Sequence, residues 1–115
     1  MNKTLDQHRK DIIEIGRRVY GLGYVAAYDG NISVRLEDGN VLATPTAMSK
    51  GYMSEDDLVV VDLEGKKIGG HRKASSEIAM HLLIYRMRPD VHGVVHAHPP
   101  VATGFAAAGI PLNRA

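Results

Sequence analysis

The sequence predicts a single α/β domain whose sheet is largely antiparallel or mixed. Three observations predict this class: a capped amphipathic helix at the start, several β-rich segments joined by tight turns, and a second helix followed by a histidine-containing strand. The predicted order is helix, three or four strands, helix, strand, helix. Strands that follow one another through short turns pair antiparallel. The length of 115 residues suits one domain, 1–115, with a core of its own.

The first predicted helix runs from about residue 5 to residue 20. Thr4 and Gln7 have the spacing of a capping box, in which each side chain satisfies the other's backbone amide. Gly21 and Gly23 follow and are typical of a helix end. The apolar positions that return to one face are Leu5, Ile12, Ile13, Val19 and Tyr20.

A β-hairpin is predicted over residues 32–45. Asp38-Gly39 suits a two-residue type I′ loop, and this loop places Leu36 opposite Val41. In that register one face of the hairpin carries Ile32, Val34, Leu36, Val41 and Ala43.

The later elements follow from local composition. Residues 58–63 form a β-rich apolar run, and residues 66–68 make a short return strand. A helix is predicted from Ser75 or Ser76 to about residue 88, where Pro89 stops it. Residues 91–98 read as a strand, and residues 101–108 as a short alanine-rich helix.

Composition excludes several functional classes. The chain has no cysteine, so a disulfide framework, a zinc ribbon and an iron–sulfur site are excluded. The net charge is +1, which gives no electrostatic case for nucleic acid or an anionic membrane. No signal peptide or membrane-spanning apolar run is present, and a cytoplasmic location is therefore expected.

The first motif that could carry chemistry is His96-Ala97-His98. On a strand these two imidazoles share a face, with Cβ atoms about 6–7 Å apart, so they can bind one metal ion. The alternative is a pair of hydrogen-bonded histidines beside a loop. His92 lies on the same face but about 13 Å away, too far to share that ion.

A second motif, Ser75-Ser76-Glu77, opens the second predicted helix. Its amides and hydroxyls could bind a phosphate, and Glu77 could serve as a metal ligand or general base. The alternative is an ordinary helix cap. His81, four positions after Glu77, is expected to make a structural hydrogen bond, and His71 is expected to be solvated.

Two further segments flank the hairpin. Gly30-Asn31 precedes it and offers a bare backbone and an amide to an anion, although such a pair is most often only a turn. Thr44-Pro45-Thr46 ends it and could contribute a hydroxyl, or could be no more than a strand exit.

The motifs occur in the order and near the spacing of a known family. Gly30-Asn31-x-Ser33, Thr44-Pro45-Thr46, Ser75-Ser76-Glu77 and His96-x-His98 together resemble the class II aldolase/adducin family. The resemblance runs from the first helix to about Leu112, which is only the first half of a typical member. We therefore expect the native chain to continue beyond residue 115, with this domain truncated at its C-terminal side.

The resemblance implies a three-layer α/β/α fold with a central, mainly antiparallel sheet, assembled as a homotetramer. It implies that His96 and His98 hold a divalent ion, usually zinc, with a third histidine beyond residue 115, and that Glu77 is the catalytic base. The implied cradle for the substrate phosphate consists of Gly30, Asn31, Thr46, Ser75 and Ser76.

The implied reaction is the metal-dependent, reversible cleavage of a ketose 1-phosphate to dihydroxyacetone phosphate and an aldehyde. Such chemistry suits a metal that stabilises an enediolate and a carboxylate that moves a proton. An epimerase, dehydratase or decarboxylase on the same scaffold is the first alternative, and a non-catalytic adducin-like module is the second. One departure from the family is Ala47, where aldolases of this family often have glycine.

Overall fold

The computed structural model describes residues 3–23 and 30–97, which form a five-stranded antiparallel sheet with one helix on each face. The strands lie in the order β4-β3-β2-β1-β5, and every described pairing is antiparallel. The elements are α1 (Leu5–Gly21), β1 (Asn31–Arg35), β2 (Val41–Ala43), a 3₁₀ turn (Glu55–Asp57), β3 (Val59–Val61), β4 (Lys67–Gly69), α2 (Ile78–Met87) and β5 (Gly93–His96).

Helix α1 begins at the predicted capping box. The Gln7 amide donates to Thr4 Oγ1 over 3.2 Å, and the Thr4 amide donates to Gln7 Oε1 over 2.8 Å. Ile12 and Ile13 are buried against the sheet. Gly16 lies so close to the next loop that a Cβ there would collide with the Lys50 carbonyl oxygen. The absence of a side chain at residue 16 therefore sets how closely α1 can pack.

The hairpin is present, but its predicted register is wrong by one residue. The Leu36 amide donates to the Asn40 carbonyl over 2.8 Å, and the Gly39 amide donates to the Leu36 carbonyl over 3.0 Å. The loop therefore has three residues, 37–39, and Gly39 takes a left-handed φ of 88°. A three-residue loop that ends on a left-handed glycine is the second common hairpin connection.

The shifted register redistributes the side chains between the two faces. Ser33 lies opposite Ala43, and Arg35 lies opposite Val41, so these four residues face α2. The α1 face instead carries Ile32, Val34, Leu36 and Leu42. Val41, Leu42 and Ala43 are nevertheless all fully buried, because a helical layer covers each face of the sheet.

Two apolar cores result, one on each side of the sheet. The α1 side buries Ile12, Ile13, Ile32, Leu36, Leu42, Met53 and Leu58. The α2 side buries Val41, Val59, Val61, Leu82 and Tyr85. This arrangement is the three-layer α/β/α architecture that the resemblance implied.

Most other predicted elements are present, with one boundary moved. β3, β4 and β5 lie at the predicted strands, and α2 ends at Met87, before Pro89. The start of α2 differs, because Ser75 and Ser76 are not helical and the helix begins at Ile78. The predicted helix over 101–108 lies outside the described residues. Neither helix of the described residues is long and apolar enough to cross a membrane.

Charged side chains hold the end of α2 and the 3₁₀ turn in place. The Arg35 side chain donates to the Tyr85 and Arg88 carbonyls, which anchors the end of α2 on β1. Asp57 accepts a hydrogen bond from the Ser54 amide over 2.9 Å and pairs with Arg72 over 2.7 Å. The Ser54 amide, together with the Arg72 guanidinium, holds the pKa of Asp57 below its usual value.

Candidate active site

The pairing of β1 with β5 brings Asn31, a predicted phosphate-binding residue, next to His96, a predicted metal ligand. They are directly opposite each other in the β1–β5 pairing, so their side chains share a face of the sheet. Ser33, two residues after Asn31, contacts His81 of α2, which identifies that face as the α2 side. Glu77 lies at the start of α2 and reaches this same place.

Glu77 and His96 are in direct contact. Glu77 Oε2 lies 2.8 Å from His96 Nδ1, and their side chains are 40% and 30% exposed. Because Nδ1 is engaged by the carboxylate, a metal held by this imidazole would bind at Nε2. A carboxylate on the second ring nitrogen is the usual way to orient a metal-binding histidine, so this pair fits a metal centre.

The rest of the predicted ligand set is not among the described residues. His98 lies outside them, and residues 3–23 and 30–97 contain no group of three metal-ligating side chains. Of the predicted metal-binding histidines, the structure describes His96, together with Glu77, whose carboxylate contacts it.

Asn31 offers a buried donor. Its Oδ1 accepts a hydrogen bond from Thr44 Oγ1 over 2.6 Å, and Thr44 Oγ1 in turn accepts from the Ile32 amide over 3.2 Å. This orientation leaves the Asn31 amide nitrogen, Nδ2, as a fully buried donor without a partner in the described part of the chain. An unpaired buried donor is costly, and an anionic ligand oxygen would satisfy it.

The backbone brings the loop that carries Thr46 alongside the segment that carries Ser75, with Thr46 opposite Lys73. Pro45 forms an isolated β-bridge with Ala74, and the Thr46 amide donates to the Lys73 carbonyl over 2.9 Å. The structure therefore places the loop after β2 along the segment before α2. Gly30, just before β1, takes a left-handed φ of 86°.

The hydroxyl of Ser75 turns back on its own segment. Ser75 Oγ accepts a hydrogen bond from the Glu77 amide over 3.2 Å, and Ser76 beside it is exposed. Both serines line a cavity of about 590 Å³, together with Lys67, His71, Arg72 and Lys73. Lys73, two residues before Ser75, thus lies beside the serine motif. Lys50, in the loop after β2, is buried, and its Nζ donates to the Met48 carbonyl over 2.8 Å.

His81 makes the structural hydrogen bond expected of it, and its partner is Ser33. His81 Nδ1 lies 2.6 Å from Ser33 Oγ, which also lies 2.7 Å from the Tyr85 hydroxyl. Burial, with the nearby His96, lowers the pKa of His81 to about 4, although Glu77 acts in the opposite direction. His71 is exposed, as expected.

Sequence reasoning missed Ser33 and Tyr85 as members of this network. A signal existed, since Glu77, His81 and Tyr85 recur every four residues along α2 and so share one face. Three polar groups on the face of a helix that packs on a sheet indicate a buried polar network rather than solvent exposure.

Ala47, the departure from the family's usual glycine, has a backbone conformation that favours glycine. Ala47 is the one non-glycine residue in the described ranges with a positive φ, 57°. Glycine takes this conformation without steric cost, whereas alanine does not. The glycine usual at this place in the family is therefore what the backbone favours.

Comparison with known proteins settles the family. The model of the class II aldolase and adducin N-terminal domain matches residues 10–114. The chain belongs to this family. An L-fuculose phosphate aldolase of Methanococcus vannielii is 42% identical over 97 residues, 84% of this chain and 52% of that protein.

Other relatives of similar identity carry different names. A 3-oxo-tetronate 4-phosphate decarboxylase of Haemophilus influenzae is 40% identical over 95 residues, 83% of this chain and 45% of that protein. A methylthioribulose-1-phosphate dehydratase of Hahella chejuensis is 36% identical over 99 residues, 86% of this chain and 48% of that protein. The chain thus spans about half the length of the curated relatives it matches.

Solved structures show the same fold. YgbL of Klebsiella pneumoniae superposes with a TM-score of 0.86 at 36% identity, covering 90% of this chain and 50% of that one. An L-fuculose 1-phosphate aldolase superposes with a TM-score of 0.84 at 30% identity, covering 96% of this chain and 52% of that one. The class II aldolase fold expected from the sequence is confirmed.

Proposed function

We propose that this chain forms the N-terminal part of a metal-dependent lyase that reversibly cleaves a ketose 1-phosphate to dihydroxyacetone phosphate and an aldehyde. The observation that carries the proposal is the meeting of Glu77, His96 and Asn31 at one end of the sheet. A base, a metal-binding imidazole and a buried donor for an anion are the groups that this reaction requires.

The phosphorylated substrate class has two supports. The three relatives described above are named for an aldolase, a dehydratase and a decarboxylase, and all three names contain a sugar phosphate. In this chain, the unpaired Nδ2 of Asn31 can donate to a phosphate oxygen. The adjoining Thr46, Ser75 and Ser76, with Gly30 before β1, complete the proposed cradle, and Lys73 lies beside it.

In the proposed mechanism the cradle holds the phosphate and thereby orients the reacting carbons, which lowers the entropic cost of reaching the transition state. A divalent ion, zinc or another metal, supplies Lewis-acid stabilisation of the negative charge that develops on the substrate oxygens. His96 and His98, with a third histidine beyond residue 115, would hold it. Glu77, as the general base, transfers the proton that the reaction requires, and its carboxylate leaves its contact with His96 Nδ1 to do so.

Four further statements belong to the proposal. The metal is zinc or another divalent ion and the assembly is a homotetramer, both from the family resemblance. The location is cytoplasmic, which the cysteine-free composition permits. The native protein continues beyond residue 115 and completes the metal site.

A dehydratase or decarboxylase of a sugar phosphate is the second candidate, because relatives with those names match at 36% and 40% identity. Both would use the same cradle and metal. A non-catalytic, adducin-like role is disfavoured by the Glu77–His96 contact, since an assembly module has no need of a carboxylate-oriented imidazole.

The test is a substrate panel on the native protein. Ketose 1-phosphates and phosphorylated 3-oxo sugar acids are supplied, and dihydroxyacetone phosphate, the dehydrated product and carbon dioxide are measured separately. We expect dihydroxyacetone phosphate to form and Glu77→Gln to lower turnover by about 10²–10⁴-fold with metal still bound. Glu64→Gln, in the exposed turn before β4, is the matched control.

Carbon dioxide or a dehydrated product without dihydroxyacetone phosphate would overturn the aldolase assignment in favour of the second candidate. Normal turnover of Glu77→Gln would remove Glu77 from the role of base and leave it as an acid at the start of a helix.

A further inference from the structure

Three buried polar side chains join β1 to α2 next to the Glu77–His96 pair. Ser33 Oγ lies 2.6 Å from His81 Nδ1 and 2.7 Å from the Tyr85 hydroxyl. Ser33, His81 and Tyr85 are each no more than 1% exposed. A buried donor or acceptor without a partner is destabilising. The direction of these hydrogen bonds therefore follows from which protons and lone pairs find partners.

The direction runs from Tyr85 to His81. Within the described ranges, Ser33 Oγ is the acceptor that the structure offers to the phenolic proton of Tyr85. If Ser33 Oγ also accepted from His81 Nδ1, its own proton would have no partner among the described residues and the Nε2 lone pair would be unsatisfied as well. Ser33 therefore donates to His81 Nδ1, and the imidazole proton resides on Nε2. The opposite direction would leave two groups unsatisfied, the Tyr85 proton and the Nε2 lone pair of His81. The direction from Tyr85 to His81 leaves only one, the Nε2–H donor of His81.

That single donor lies beside the proposed base. Nε2 of His81 is buried and has no hydrogen-bond partner among residues 3–23 and 30–97. Glu77 precedes His81 by one helical turn on the same face, and both Glu77 and His96 are close enough to act on the imidazole electrostatically. Buried polar groups without a partner are rare, and a catalytic role is one established reason for them.

We propose that His81 is a positioning residue for Glu77: Tyr85 and Ser33 fix its tautomer, and its Nε2–H donates a hydrogen bond to the Glu77 carboxylate as that carboxylate turns from His96 towards the substrate. This inference rests on the proposed function, in which Glu77 is the base. A neutral donor orients the carboxylate without cancelling its charge.

The tautomer is tested first, independently of activity. In ¹⁵N-labelled native protein at pH 6–8, the His81 ring should show a protonated Nε2 and an unprotonated Nδ1. Tyr85→Phe removes the first donor of the relay, so the variant should show a mixture of tautomers. A protonated Nδ1 in the wild type would overturn the relay.

The link to Glu77 is tested in the same spectra of the His96→Ala variant, in which the carboxylate is no longer held at the ring nitrogen of residue 96. Glu77→Ala should move the Nε2 proton resonance upfield, because a carboxylate acceptor deshields the proton it binds. An unchanged resonance would overturn the link, whatever reaction the enzyme performs.

Turnover separates positioning from mere packing. A glutamine amide falls near the Nε2 position of histidine, and an asparagine amide falls near Nδ1. We expect His81→Asn to lower kcat about 10–100-fold with KM and metal content little changed, and His81→Gln to restore most of it. His92→Asn and His92→Gln, at an exposed histidine between α2 and β5, are the controls.

Equal loss of kcat in His81→Asn and His81→Gln, in parallel with lost thermal stability, would contradict the positioning role. If wild-type protein turns over no sugar phosphate while the tautomer and the Glu77-dependent shift are as expected, the proposed function fails and the relay stands.

Discussion

Ala47→Gly should stabilise the protein, because Ala47 carries a left-handed φ of 57° in an exposed loop. A residue with a Cβ pays about 1–2 kcal/mol for this conformation. Glycine removes that strain but adds about 0.4–1 kcal/mol of chain entropy to the unfolded state. The residue is exposed, so no burial term enters, and the expected net gain is about 0.5–1 kcal/mol.

The assay is urea unfolding at fixed protein concentration, with the midpoint expected to rise and the m-value unchanged. Gly39→Ala is the matched reverse control, since Gly39 has a φ of 88° and open space around an added Cβ. Gly39→Ala should lower the free energy of unfolding by about as much as Ala47→Gly raises it. If Gly39→Ala destabilises as expected while Ala47→Gly also destabilises, the strain argument for Ala47 is refuted.

Three further outcomes are expected. Gly16→Ala should destabilise by about 1–3 kcal/mol in the same assay, because a backbone carbonyl occupies the space of its Cβ; an unchanged midpoint would show that α1 can shift away. Asp57 has a lowered folded pKa, so its contribution is full above the unfolded value of about 3.9 and is lost as pH falls through the folded value. Asp57→Asn should flatten that part of the stability–pH curve, and an unchanged curve would contradict the lowered pKa that the Ser54 amide and Arg72 give Asp57. Replacing both Ser75 and Ser76 with alanine should weaken the binding of inorganic phosphate in a titration and leave the metal content unchanged. Equal phosphate affinities of the wild type and the double variant would argue against the cradle.

Much of the fold was predictable because local signals agreed with the packing. The Thr4–Gln7 capping box specified the start of α1, and Pro89 specified the end of α2, since both act within a few residues. The strands also lay where β-rich composition indicated.

The hairpin register was not predictable from alternation. Alternation identifies a register only when one face of a sheet is buried and the other is wet. Here Leu42 on one face and Val41 on the other are both 0% exposed, so apolar residues are accepted on either side. The choice was left to the loop, where Asp38-Gly39 fits both a two-residue turn and the three-residue loop observed.

The candidate site was predictable as a set of motifs and not as contacts. The neighbourhood of Thr46 and Ser75 depends on the bridge between Pro45 and Ala74, a long-range pairing without a local signal. The contact of Glu77 with His96 likewise required the placement of α2 over β5. The roles assigned to Glu77, His96 and the phosphate residues remain predictions.

Metal analysis of the native protein tests the central claim most directly. Zinc or another divalent ion is measured by elemental analysis in the wild type, in His96→Ala and in the control His92→Ala. The account predicts bound metal in the wild type and in His92→Ala, and loss of metal and activity in His96→Ala, because two remaining ligands bind far more weakly than three. Metal retained by His96→Ala at the wild-type stoichiometry would contradict it.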